Sequence, residues 1–92
     1  MIKVNLVFNK LLTSLAGNQY GVSEFDKQIK NVDYNSEYTI VFPEQIKYIA
    51  TSFIQGFFKE FVETIGIAGI EQKITIESSI NNLKQIVIDS LV

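Results

Sequence analysis

The sequence predicts a single α/β domain spanning residues 1–92, with a small, mainly parallel or mixed sheet of three or four strands and about three helices. Segments typical of strands alternate along the chain with segments typical of helices, which is the order of parallel sheets with crossover helices. The 92 residues suffice for one core without metals or disulfides. Hydrophobic residues make up 47% of the chain and seven of them are Phe, enough to build that core.

The first elements are a strand and a connector. Apolar and polar residues alternate over residues 2–8, which predicts a strand. Residues 10–21 are rich in small and polar side chains, and Gly17 and Gly21 are expected to interrupt regular structure there. This connector either supplies a further strand or leaves one edge of the sheet to a neighbouring chain, as in a homodimer.

A short helix is predicted after the connector. Ser23 is placed to cap its N-terminus, with Glu24 and Asp26 in the first turn, where the helix dipole favours anions. The helix is expected to end within residues 31–35. Its predicted buried side consists of Phe25, Ile29 and Val32.

The centre of the chain predicts a buried strand followed by the main helix. Residues 38–42 are aromatic or β-branched and are ended by Pro43. Ser52 and Gln55 have the spacing of a capping box. The following residues form the wide apolar stripe of a helix that packs on a sheet: Phe53, Ile54, Phe57, Phe58, Phe61, Val62 and Ile65.

The last part of the chain predicts a third strand and a final helix. Gly66 is expected to end the main helix, with residues 66–69 as the return loop. Residues 73–77 read as a strand, and Ser78 or Ser79 is placed to cap the last helix. The apolar stripe of that helix is Ile80, Leu83, Val87 and Leu91.

Composition excludes several classes of function. The net charge is −2, there is no Arg, and the eight Lys are scattered, which disfavours nucleic-acid binding. The absence of Cys and His removes thiol catalysis, disulfides and nearly all zinc sites. We expect no metal and no cofactor. No signal peptide or membrane-spanning run is apparent, so a cytoplasmic protein is expected.

Residues 46–58 carry a resemblance to a known family. Spaced isoleucines, and then Ile-Ala-Thr-Ser-Phe at 49–53 opening an amphipathic helix, resemble the STAS domain of anti-sigma-factor antagonists. The segment is more similar still to the small STAS-like DUF4325 family, in which a Ser-Ser-Phe or Thr-Ser-Phe triplet opens the same helix. In the order of elements, the resemblance extends from Val4 to the C-terminus.

The resemblance implies a STAS-like fold and a phosphorylation site. In the antagonists this turn reads Asp-Ser-Ser-Gly, and its second Ser is phosphorylated by a partner that is both kinase and anti-sigma factor, with a histidine-kinase-type ATPase fold. That Ser falls on Ser52 and the first Ser on Thr51. The motif departs from the family pattern at Ala50, which replaces the Asp, and at Phe53, which replaces the Gly.

Each candidate residue also has a purely structural interpretation. Ser52 is either a phosphorylation site or a cap that contributes about 1 kcal/mol to helix stability. The phenylalanines of the main helix are mostly core, and Ile54 or Phe58 is the member expected to be exposed. The residues predicted to contact a partner are Ile46, Tyr48, Ile54 and Phe58.

These observations predict a non-enzymatic regulatory module that docks a protein partner through residues 46–58. No catalytic residue is predicted, because the carboxylate pairs Glu24/Asp26 and Glu60/Glu63 are expected to lie on solvated helix faces. The alternative is a small structural or inhibitory binding protein, of mobile-element or phage type, without phospho-regulation.

Overall fold

A computed structural model describes residues 1–92, which form five strands and four helices. The strands are β1 (Ile2–Asn5), β2 (Ser14–Leu15), β3 (Tyr38–Val41), β4 (Tyr48–Ile49) and β5 (Ile74–Glu77). The helices are α1 (Asn18–Gln28), α2 (Thr51–Phe57), α3 (Lys59–Lys73) and α4 (Leu83–Leu91). The α/β class is therefore confirmed. There is one helix more than expected, because the predicted main helix is divided at Phe58 into α2 and α3.

The main sheet has three strands in the order β1-β3-β5, and both pairs are parallel. Its register aligns Val4, Ile40 and Ile76 across the three strands. The predicted strands at 38–42 and 73–77 are confirmed within a residue at each end. The first strand is shorter than predicted, although the alternation of burial continues beyond it through Leu6 and Phe8.

The connector at residues 10–21 does supply a further strand, but not to the main sheet. Its two residues, Ser14 and Leu15, pair in parallel with Tyr48 and Ile49. The backbone N–H of Lys47 also donates a hydrogen bond to the connector, at Thr13. This second sheet places the ends of β2 and β4 next to each other, which matters for the site described below.

All helices and one face of the main sheet enclose a core rich in aromatic rings. The ring of Phe57 lies 6.3 Å from that of Phe42, and the ring of Phe61 lies 5.9 Å from that of Tyr38, so α2 and α3 cover this face. All seven phenylalanines are buried. The opposite face carries mainly exposed residues, among them Lys3, Asn5, Thr75 and Glu77.

The prediction that Ser23 caps the first helix is wrong, because α1 begins five residues earlier, at Asn18. Glu24 therefore lies in the middle of the helix and is buried rather than solvated. Its carboxylate is held by Lys27 at 3.1 Å and accepts a hydrogen bond from the Gln28 side chain at 2.6 Å. The helix also ends earlier than expected, at Gln28.

Two other helix ends differ from prediction. Gly66 does interrupt α3, with a φ of 73°, but residues 67–73 resume a helical path instead of forming a loop. The helix α4 follows Asn82, which has a φ of 58°, so neither serine is its cap. Ser79 instead donates hydrogen bonds to the carbonyls of Glu44 and Ile46.

None of the four helices has both the length and the apolar character needed to cross a membrane.

Candidate functional site

The candidate site is built where β2 and β4 end and two helices begin. The parallel pairing of Leu15 with Ile49 brings both strand ends to one place, and the N–H of Ala50 donates a 2.8 Å hydrogen bond to Leu15. Helix α1 begins at Asn18 and helix α2 at Thr51. The expectation that residues 49–53 open a helix is confirmed, since α2 begins at Thr51, but the strand directly before it is the unpredicted β4 and not the strand at 38–42.

The side-chain oxygen of Ser52 links the two strand-to-helix connections. It accepts a 2.9 Å hydrogen bond from the backbone N–H of Gly17, the residue that precedes α1. The predicted capping role of Ser52 is wrong, because α2 follows Ala50 and no side chain caps it. Ser52 is nonetheless exposed, so its hydroxyl is accessible from solvent.

Thr51 lies beside Ser52 and faces the C-terminal helix. Its hydroxyl is 3.4 Å from that of Ser90 on α4. The side chain of Gln55 reaches the same residue by donating a 3.2 Å hydrogen bond to the Ser90 carbonyl. Thr51 and Gln55 are exposed, and these contacts attach the C-terminal helix to the first turn of α2.

Only one of the four residues predicted to contact a partner is at the surface. Tyr48 is 63% exposed, whereas Ile46, Ile54 and Phe58 are 0%, 1% and 0% exposed. The expectation that Ile54 or Phe58 is exposed is wrong. Helix α2 packs against α1 on one side and α4 on another, which leaves no apolar flank open. A docked partner would therefore meet Tyr48 and not the other three side chains.

The exposed residues over this region carry no charge except for Lys47, which borders it beside Tyr48. We use the term junction surface for the set Ser14, Ala16, Tyr48, Thr51, Ser52 and Gln55, all of them exposed. They belong to two stretches without charged residues, 11–23 and 48–58, which the pairing of β2 with β4 and the crossing of α1 with α2 bring together. The two uncharged stretches are visible in the sequence, but their proximity is not.

One aromatic residue beneath this region is ionisable. Tyr20 on α1 is half-buried, with its ring 5.5 Å from that of Phe53 and 6.4 Å from that of Phe8. Burial raises the pKa of Tyr20, and the negative charge of Glu24 adds to the increase, against a smaller opposing effect of Lys27. The phenol is therefore neutral at physiological pH and serves as an apolar support.

The main depression of the surface lies elsewhere, between α1 and α3. It has a volume of about 270 Å³ and is lined by the carboxylates of Asp26, Glu60 and Glu63 together with Lys59. All four side chains are exposed, so water solvates them. A general acid or base is usually tuned by burial or by a close charge. No group of three or more acidic side chains is close enough to hold a metal ion.

Comparison of the chain with protein-family models, curated proteins and solved structures finds no significant match. The resemblance to STAS-like domains therefore stays a prediction from residues 46–58.

Proposed function

We propose that the protein is a non-enzymatic regulatory module that docks a protein partner through the junction surface. The observation that carries this proposal is the set of exposed, uncharged residues around Tyr48, at the point where two helices begin. The cores of protein–protein interfaces are depleted in charged side chains and enriched in Tyr. The depression between α1 and α3, by contrast, is lined by charged side chains.

The resemblance suggests what kind of partner would dock. A STAS-like module would bind a histidine-kinase-type ATPase or another anti-sigma factor, and both proteins would be cytoplasmic. Such a partner would cover Tyr48 and the hydroxyls of Thr51 and Ser52.

Phosphorylation of Ser52 or Thr51 would switch this docking. A phosphate brings a charge of about −1.5 to −2 to a surface that has none. Burial of that charge against a partner would require a matching cation, and without one the complex weakens. At Ser52 the phosphate would also disturb the hydrogen bond with Gly17, and so the start of α1.

One observation favours the alternative function, a structural or inhibitory binding protein of mobile-element or phage type. The Ser52 oxygen already joins two parts of the chain through Gly17, and this accounts for a Ser at this position without any kinase. In that case the junction surface would bind a partner constitutively.

Affinity capture from the native host tests the docking surface. The wild-type chain would be compared with Tyr48→Lys and Ser52→Asp, which each place a charge on the junction surface. Thr75→Asp is the matched control for Ser52→Asp, since it adds the same negative charge at an exposed Thr of β5, outside that surface. We expect at least one protein to be retained by the wild type and the control but lost by both surface variants. Identical sets of retained proteins would overturn the proposal.

Intact-mass measurement separates the two candidate functions. The captured partner would be incubated with the chain and ATP, using the wild type, Ser52→Ala and Thr51→Ala. Addition of one phosphate that is lost in one of the two variants supports the switch and identifies its site. An unmodified mass at saturating ATP, with docking intact, supports the constitutive binding protein instead.

A further inference from the structure

The outer edge of β1 has free backbone groups. This strand pairs only with β3, and the N–H groups of Ile2 and Leu6 donate towards that side, to Glu37 and Val41. Successive residues of a strand direct their backbone groups to opposite sides. The N–H and C=O groups of Lys3 and Asn5 therefore point away from the sheet, and both residues are exposed.

The far end of the same edge is closed by a side chain. Gln28, the last residue of α1, accepts a 2.7 Å hydrogen bond from the Val7 N–H and donates a 2.9 Å hydrogen bond to the Val7 carbonyl. Its carboxamide thus occupies the two groups that an added strand would need at this position. An incoming strand can pair with Lys3 and Asn5 but not with Val7.

We infer that a second copy of this chain pairs with β1 in antiparallel orientation, so that two three-stranded sheets join into one of six strands. In the matching register, Lys3 of one copy lies opposite Asn5 of the other, and Val4 lies opposite its own counterpart on the two-fold axis. Each Lys3–Asn5 pair exchanges two backbone hydrogen bonds. All the free groups of Lys3 and Asn5 are then satisfied on both copies.

The charge of Lys3 and the Gln28 contact exclude the two registers shifted by two residues, and the alternation of side chains excludes a shift by one. A shift by two residues in one direction puts Lys3 opposite Lys3 of the other copy, and like charges directly opposite each other are destabilising. A shift in the other direction pairs Lys3 of β1 with Val7, whose backbone groups Gln28 already holds; in the inferred register only Met1, which precedes β1, lies opposite Val7. A shift by one residue turns the apolar side chains to the wrong face.

The apolar side chains of β1 are also placed to pack against those of a second copy. Ile2 is 38% exposed and Val4 is partly exposed, although both lie on the sheet face that packs against the helices. In the joined sheet Val4 contacts Val4 of the other copy, and Ile2 lies opposite Leu6. The interface consists of one short strand per copy, so the dimer is weak and its population depends on concentration.

Sedimentation of the full chain over a concentration series tests the dimer, with two substitutions at one position. Asn5→Lys places two lysines opposite each other in both pairs, and Asn5→Glu places a carboxylate opposite Lys3 instead. We expect the dissociation constant to rise about two- to thirty-fold with Asn5→Lys and to fall by a similar factor with Asn5→Glu. The two variants share one exposed site, so circular dichroism should show them equally folded.

Amide exchange followed by NMR tests the register directly. The amide hydrogens of Lys3 and Asn5 should become protected as the concentration increases, while that of Ile76, on the outer edge of β5, should not. A wild type that stays monomeric throughout would overturn the inference. So would a dimer whose dissociation constant changes in the same direction, or not at all, in the two Asn5 variants.

Discussion

Gly21 of α1 and Gly56 of α2 lie in backbone contact where the two helices cross. A methyl group on Gly21 would sit 2.7 Å from the Phe57 nitrogen and 3.2 Å from the carbonyl carbon of Gly56, and it would overlap the carbonyl oxygen of Phe53. A methyl group on Gly56 would overlap the carbonyl of Asn18 in the same way. The glycines therefore set the distance between the helices that frame the junction surface.

Gly21→Ala should lower the free energy of unfolding by about 2 to 4 kcal/mol, because the added methyl meets backbone that cannot move aside. Ser23→Ala is the control, since this residue of the same helix is exposed and the change adds no atom at the crossing. We expect that variant to stay within about 1 kcal/mol of the wild type, because Ala also favours a helix. Urea unfolding measures both, and equal losses would contradict the close crossing.

Substitutions at Phe58 and Tyr48 should distinguish a residue needed for stability from one needed only for docking. Phe58→Ala is expected to cost about 3 to 5 kcal/mol, because the ring is fully buried and 5.1 Å from that of Phe57. Tyr48→Ala should change stability by no more than about 0.5 kcal/mol, since the side chain is mostly exposed. Thermal unfolding checks both, and a stable Phe58→Ala protein would count against this core.

The sequence could predict the elements that have a long, regular pattern. The strands at 38–42 and 73–77 and the apolar stripe of the main helix follow from periods of 2 and 3.6 residues. The short pair β2–β4 has two residues per strand, too few for any period. The junction surface depends on that pair, so it could not be predicted from local pattern.

Two errors have a tertiary cause. Gly21 was expected to interrupt regular structure, but it lies within α1 and serves the close approach of α2. Ile54 or Phe58 was expected to be exposed because the helix was expected to bury only one stripe, the one facing the sheet. Helix α2, which carries Ile54 and ends just before Phe58, is instead covered by α1 and α4 as well, so only its polar residues stay exposed.

Ser52→Ala tests the structural role of the serine. Loss of its hydrogen bond to the Gly17 N–H should cost about 0.5 to 1.5 kcal/mol. Thr51→Ala is the matched control, with an expected loss below about 0.5 kcal/mol, because its hydroxyl lies only within 3.4 Å of Ser90. Chemical unfolding at neutral pH measures both. If Thr51→Ala lost more stability than Ser52→Ala, the hydrogen bond between Ser52 and Gly17 would not be the main contact that stabilises this part of the chain.

Asp33 should make the stability depend on pH. The Ser36 hydroxyl and the Asn35 N–H donate to its carboxylate, at 2.8 Å and 3.0 Å, and these bonds lower the pKa of Asp33 below its ordinary value of 3.8. The stabilisation is therefore complete above that value and is lost as the pH falls through the lower folded-state pKa. Above about pH 5 the wild type should exceed Asp33→Asn in stability, and the difference should shrink towards about pH 2.

Urea unfolding of both proteins over this range checks the effect of Asp33. Ser36→Ala is the companion variant, since it keeps the Asp33 carboxylate but removes one of its two donors, and its stability should depend less on pH than that of the wild type. A difference between wild type and Asp33→Asn that stays constant with pH would contradict the assignment to the Asp33 carboxylate.

Gln28→Glu should destabilise the protein, although the two side chains are nearly isosteric. The amide nitrogen of Gln28 donates to the Val7 carbonyl and to the buried carboxylate of Glu24. Gln28→Glu removes both donors and sets a second carboxylate against Glu24, so we expect a loss of about 2 to 4 kcal/mol at neutral pH. The loss should diminish in acid, where a protonated carboxyl group can again donate.

Gln85→Glu is the matched control for this change. Gln85 on α4 also donates from its side-chain nitrogen to a carboxylate four residues away, that of Asp89, but both side chains are exposed. Because solvent screens like charges at the surface, this variant should lose no more than about 0.5 kcal/mol. Equal losses in the two variants would mean that the end of β1 is not held by Gln28, and the register inferred for the paired strands would lose one of its constraints.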